Sequence, residues 1–235
     1  MLDTSLVTLA SVLAFVVGST IHHLISEREQ RWGRAAFSRY VSPNRVECLI
    51  AHHNQLQLGG QSQTCSFDFT DLAGLTALME QIDPAAAVAL LKEYLDGMLV
   101  VAFSHEGTLD RIARDAVVVL FSAPVPQPDH CQRALRCALA MDHFAFQYAQ
   151  RMRQTVVPWG ITRIGVHTGQ VIVGNLIGKT LFDYRALGDQ VNTAARLEGA
   201  NKHLGTRICV SGQVMQHCPE APARHVDQML LVGIT

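Results

Sequence analysis

Strand-like apolar runs that arrive in close pairs constrain this chain more than any other feature of its sequence. Thr108–Ile112 is followed almost at once by Ala116–Ser122, and Ile161–His167 by Gln170–Gly174. The first pair reads as a hairpin, and several such close strand pairs set the frame for the fold. Further strands are expected at Thr64–Phe69, Thr180–Leu187, Thr206–Val210 and Met229–Val232. Helical periodicity fills the spaces at Leu72–Gln81, Pro84–Ser104, Asp129–Met152 and Asp189–His203. The pattern predicts an α+β fold, a sandwich of one sheet with helices against it. With 235 residues, 49% of them apolar and 17% charged, the chain can build a real core and is no disordered or low-complexity protein.

Ahead of these runs, no Asp, Glu, Lys or Arg occurs from Thr4 to Ile25. About 20 helical residues span the ~30 Å hydrocarbon layer, so residues 1–26 are expected to hold one transmembrane helix. A secretory signal is the competing reading, but it needs basic residues before a shorter apolar run and a small-residue cleavage site. Here the only charge ahead of the run is Asp3, and Arg28, Arg31, Arg34, Arg39 and Arg45 follow it. That asymmetry puts the C-terminal side in the cytoplasm, with the chain anchored in the cytoplasmic (inner) membrane. Residues 27–63 read as a juxtamembrane linker. It comprises a helix over 27–41 with Trp32, Ala36, Phe37 and Tyr40 on one side, a short helix opened by Ser42-Pro43, and a Gln- and Gly-rich connector. Residues 64–235 form the main domain.

The net charge of −1 gives no global attraction to nucleic acid, and none is expected as a partner. Cys48, Cys65, Cys131, Cys137, Cys209 and Cys218 form no CxxC pair and read as buried or idle thiols in a reducing compartment. The doublets His22-His23 and His52-His53 have no Cys or carboxylate at ligand spacing, which argues against zinc. Gly174-Asn-Leu-Ile-Gly178-Lys179-Thr180 imitates a phosphate-binding loop, but it is one residue too short between its glycines and leads into a strand-like run.

Asp71 ends an apolar strand in Phe69-Thr-Asp71-Leu-Ala-Gly74-Leu-Thr76, and Asp115 opens Asp115-Ala-Val-Val-Val-Leu-Phe. Carboxylates beside buried strands are costly unless paired, capping a helix or holding a cation. Taken singly, each reads as structural; Asp71 suits a helix cap. Four motifs in order change that reading. The Asp71 segment resembles Phe-x-Asp-Ile-x-Gly-Phe-Thr of the class III nucleotidyl cyclases. Leu109-Asp-Arg111-Ile-Ala-Arg114-Asp115-Ala resembles their hairpin, Asp-Lys-Tyr-Ile-Gly-Asp-Ala. Asp183-Tyr-Arg185-Ala-Leu-Gly188-Asp-Gln-Val-Asn192-Thr-Ala-Ala-Arg196-Leu-Glu198 resembles Asp-Tyr-Thr-x-x-Gly-Asp-x-Val-Asn-x-Ala-x-Arg-Leu. Gly165-Val-His-Thr-Gly169 also falls in order.

The resemblance implies the ferredoxin-like cyclase sandwich, a homodimer or a heterodimer with another cyclase chain, and active sites at the interface. One subunit would supply Asp71, Asp115 and the Leu72 carbonyl to two divalent cations, Mg²⁺ or Mn²⁺. ATP would become cyclic AMP and pyrophosphate by attack of the ribose 3′-hydroxyl on the α-phosphate. From the other subunit Asn192 would orient the ribose and Arg196 would face the charge on the α-phosphate. Four apart on a helix, those two share a face. By spacing alone, Arg196 would instead pair with Glu198 or solvent.

The chain departs from the family inside the site. Arg111 and Arg185 fill the slots that read adenine, where the family has a Lys and a Thr or Asp; arginine donates hydrogen bonds but accepts none. GTP, with acceptors at O6 and N7, therefore stays open as a substrate. Arg114 replaces a hairpin glycine beside Asp115, and Val232-Gly233 stands where a triphosphate-binding Lys-Gly is usual. These departures motivate the alternative of a catalytically impaired, nucleotide-binding or dimerising partner.

Overall fold

Ser19 aside, the computed structural model describes residues 59–155, 157–175 and 184–226. Strands β1 (Gly59–Leu72), β2 (Thr108–Ala113), β3 (Ala116–Phe121), β4 (Thr162–Asn175) and β5 (Tyr184–Leu187) lie in the order β2-β3-β1-β4-β5, and β6 (Ile208–Val210) pairs in parallel with β4. The other pairings are antiparallel. The helices are α1 (Leu75–Gln81), α2 (Pro84–Ser104), α3 (His130–Gln154), α4 (Asp189–Leu204) and α5 (Gly212–Gln216). The result is a mixed sheet with helices, as the sequence pattern predicts.

Every residue of β3 is buried, and its unbroken run Ala-Val-Val-Val-Leu-Phe fits a strand covered on both faces. Alternation then sorts the core in two. Leu72, Val117, Val119, Phe121, Ile164 and Val166 pack against Tyr94 and Met98 of α2 and Ala138 and Met141 of α3. Phe67, Val118, Leu120, Val171 and Val173 pack on the other face against Val191 and Ala194 of α4. The start of α2 is set locally: Pro84 occupies the first turn, and the Asp83 carboxylate accepts from the Ala86 amide at 3.0 Å.

Several boundaries differ from the sequence pattern. β1 begins at Gly59, within the expected connector, because residues 59–64 pair with residues 170–175 of β4. Its other end runs to Leu72, so the helix expected from Leu72 starts only at Leu75, after Gly74 turns the chain at φ +80°. The two strands expected at Ile161–His167 and Gln170–Gly174 are one: Thr168 and Gly169 pair with Ser66 and Cys65, carrying the ladder through. α5, a five-residue helix capped by Ser211, is too short to leave a periodic signal. Ser19 apart, the transmembrane and juxtamembrane helices expected over residues 1–52 lie outside the described residues, as do residues 180–183 of the strand expected at Thr180–Leu187 and the strand expected at Met229–Val232. No described helix is long and apolar enough to cross a membrane. Five cysteines, Cys65, Cys131, Cys137, Cys209 and Cys218, are buried and free.

Candidate active site

β1 pairs with β3, and the β2–β3 turn, Arg114-Asp115, therefore lands beside the end of β1. Thr70 secures the approach: its Oγ1 accepts from the Val117 amide at 3.0 Å and donates to the Val117 carbonyl at 3.3 Å. One step further, the Leu72 amide donates to Asp115 Oδ2 at 2.9 Å. Asp71 and Leu72 thus meet Asp115, 43 residues beyond Leu72 in sequence, at one corner. Beneath them Tyr94 of α2 shares a 2.7 Å hydrogen bond with Thr162, the register partner of Leu72. Burial raises the Asp115 pKa; the Leu72 amide opposes that shift, and the Asp71 charge adds to it. Asp68, three residues back, belongs to the opposite face of β1 and is fully buried, which pushes its carboxyl well above the usual range. It is no candidate for holding a cation.

Arg114 adopts φ +61°, the left-handed conformation for which the family carries glycine. Its charge lowers the Asp115 pKa, the least of the influences on that carboxyl.

A feature the motifs did not single out is Arg163, the register partner of Asp71 on β4. Its Nη2 lies 2.8 Å from Asp71 Oδ2. Its Nε lies 3.1 Å from Glu198 Oε1, a contact of charges rather than an aligned hydrogen bond. Glu198 therefore pairs with Arg163 and not with Arg196. Burial, then the charges of Asp71 and Asp115, raise the Glu198 pKa to about 7 against the pull of Arg163. The only signal in the sequence was a lone arginine in an apolar strand; its partners depend on register. Beside it a groove of about 390 Å³ is lined by Ala73, Gly74, Arg163, Lys202 and Thr206, among others.

Asp110 joins Arg111 to the backbone beside Arg185. The β2–β3 register shifts between Leu109 and Arg111, a bulge that turns Asp110 inward. Its Oδ2 accepts from Arg111 Nη1 at 2.9 Å and its Oδ1 from the Ala186 amide at 3.3 Å. The strands carrying the two arginines are thereby tied, although they lie at opposite ends of the sheet order.

Asn192 and Arg196 stand one turn apart on α4. Val191, Ala194, Leu197 and Glu198 face inward, whereas Asn192 is exposed and Arg196 half-buried. Among the described residues neither has a side-chain hydrogen bond or ion pair, and neither meets the acidic pair of its own chain. Also among the described residues, no three His, Cys, Asp or Glu side chains gather closely enough to hold a metal ion unaided.

A family model described as the adenylate and guanylate cyclase catalytic domain matches residues 59–231. The chain belongs to this family. The cyclase domain is 38% identical over 152 residues to adenylate cyclase 1 of Rhizobium meliloti, covering 65% of this chain and 23% of that protein. It is 28% identical over 207 residues to an adenylate cyclase of Anabaena cylindrica, covering 84% and 40%. The chain thus spans well under half the length of these curated relatives. Among solved structures, the adenylyl cyclase CyaB from P. aeruginosa aligns with a TM-score of 0.70 at 28% identity, over 76% of this chain and 92% of that one. The guanylyl cyclase Cya2 aligns with a TM-score of 0.65 at 28% identity, over 75% and 89%.

Proposed function

We propose that the chain is a membrane-anchored cyclase that converts ATP to cyclic AMP and pyrophosphate as a head-to-tail dimer. One observation carries the reading: Asp71 and Asp115 converge at the end of β1, joined through the Leu72 amide. The chemistry there suits divalent cations. Burial and the neighbouring Asp71 charge both disfavour ionised Asp115, and a divalent cation relieves that repulsion. Asp71, Asp115 and the Leu72 carbonyl would hold two Mg²⁺ or Mn²⁺ ions, and two carboxylates with substrate phosphates form a typical Mg²⁺ ligand set. When bound, the ions supply activation of the 3′-hydroxyl and neutralisation of the triphosphate.

The chain's own groups divide the remaining work. Lys202 lines the groove beside Asp71 and presents positive charge to a triphosphate tail, whereas Arg163 is engaged by Asp71 and Glu198. Asn192 is exposed and neither it nor Arg196 bonds the acidic pair of its own chain, which suits donation to a neighbouring subunit's site. There Asn192 orients the ribose, and Arg196 meets the charge that develops on the α-phosphate. Arg111 and Arg185 donate towards the base: adenine accepts at N1, while guanine O6 and N7 keep cyclic GMP as the alternative product. Residues 4–25 anchor the chain, with the domain in the cytoplasm. The test is turnover of ATP and of GTP by the purified chain with Mn²⁺. Pyrophosphate release with ATP in excess supports the reading, and no release from folded dimer removes it. Carbonate-resistant membrane association tests the anchor.

A second reading has its own support. Arg163 already bonds Asp71 at 2.8 Å, and Arg114 adds charge beside Asp115. Both compete with a cation, as expected of an impaired partner. Activity that arises only on mixing with a second cyclase chain would favour it.

A further inference from the structure

We infer that His167 and Gln190 form a clamp that sets where α4 presents Asn192 and Arg196, so that both are positioning residues for the cyclisation. The inference rests on the cyclase reading above. His167 sits on β4 between Gly165 and Gly169, and all three side-chain positions face α4 by strand alternation. A Cβ at Gly165 would lie 2.0 Å from the Ala194 carbonyl oxygen and 2.4 Å from the Glu198 amide. A Cβ at Gly169 would lie 2.6 Å from Gln190 Oε1. The helix backbone therefore rests on the strand at Gly165, and the Gln190 side chain lies over Gly169, with the His167 side chain between.

That side chain is 3% exposed and makes one hydrogen bond, from Nε2 to Gln190 Oε1 at 2.6 Å. An amide oxygen only accepts, so Nε2 carries the ring proton; Nδ1 is buried without a partner. Gln190 is the second residue of α4, two before Asn192. The first turn of α4 has no side-chain cap, and among the described residues the clamp is the side-chain hydrogen bond that ties this turn to the sheet. The other end is held separately, by Asn201 Nδ2 donating to the Ile164 carbonyl at 3.0 Å. Loss of the clamp leaves the first turn of α4 held by the packing of Val191 and Ala194 alone, so Asn192 and Arg196 shift while the far end stays docked.

Gln190 is half-buried at the helix start, so Gln190→Leu folds. In the full chain it is expected to lower kcat about tenfold, with KM for the metal–nucleotide complex within about twofold of the parent, because misplacement costs rate rather than binding. Gln190→Glu keeps an acceptor for Nε2–H and restores most of that rate. A second arm uses the shared interface. Mixed with Asp71→Ala, Gln190→Leu regains about a quarter of parental activity, since half the dimers are mixed and one site in each is intact. Mixed with Arg196→Ala it regains none, because both lesions lie on the same helix. An inactive parent chain would sink the cyclase reading itself. An active parent with Gln190→Leu at parental kcat, a KM rise in place of the kcat loss, or recovery with Arg196→Ala would overturn the clamp.

Discussion

The Leu72 amide donates to Asp115 Oδ2 at 2.9 Å across 43 residues of sequence. This bond gives Asp115 two separable duties, because Leu72 is buried and its N–H has no water to turn to. Asp115→Ala should cost about 1–3 kcal/mol in urea unfolding, by orphaning that amide, and should abolish turnover. Asp115→Asn keeps an acceptor for Leu72 but loses the charge. Its stability should approach the parent's while pyrophosphate release falls at least about 100-fold.

Arg114 holds φ +61° at an exposed turn. Arg114→Gly removes backbone strain of about 1 kcal/mol and adds unfolded-state entropy of similar size, so its stability should stay within about 1 kcal/mol of the parent. It also removes a positive charge beside Asp115. Calorimetric titration should show Mn²⁺ binding several-fold tighter.

Glu198 gives the domain a pH-dependent stability. Its folded pKa of about 7 lies above the ordinary 4.5, so the folded chain binds a proton that the unfolded chain has released. The stability this contributes is fully present below pH 4.5 and is lost as the pH rises through about 7. Its size is about 3 kcal/mol before solvent screening reduces it. Urea midpoints measured from pH 5 to 8 should fall in the parent and fall less in Glu198→Gln.

Two glycines near α4 should respond in opposite directions. Gly165→Ala drives a methyl to within 2.0 Å of a backbone oxygen and should destabilise by at least about 3 kcal/mol. Gly199, inside α4, has nothing within 4 Å of an added Cβ, and Gly199→Ala should stabilise by about 0.5–1 kcal/mol. Denaturant titration of both variants checks the pair.

What the sequence disclosed and what it hid divide along physical lines. Helix α2 was legible to the residue, because Asp83-Pro84 marks its start and the apolar run stops at Ser104. The motifs pointed to Asp71 and Asp115 by their order, and the structure places both at the end of β1, Asp115 against the Leu72 amide. Arg163 was not: a salt bridge between β1 and β4 depends on register, which no local pattern specifies. Asp110 was hidden for a related reason, since a bulge of one residue decides which way it points. The continuity of β4 through Thr168-Gly169 was obscured because glycine punctuates a strand pattern. Here it instead admits Gln190 from α4.

The most direct test is Mn²⁺-supported ATP turnover by the purified 235-residue chain beside its Asp71→Ala variant. The parent should release pyrophosphate and cyclic AMP, and the variant, folded and dimeric, should run at least about 100-fold slower. Equal rates in the two proteins, or silence from a folded parent dimer, would contradict the account.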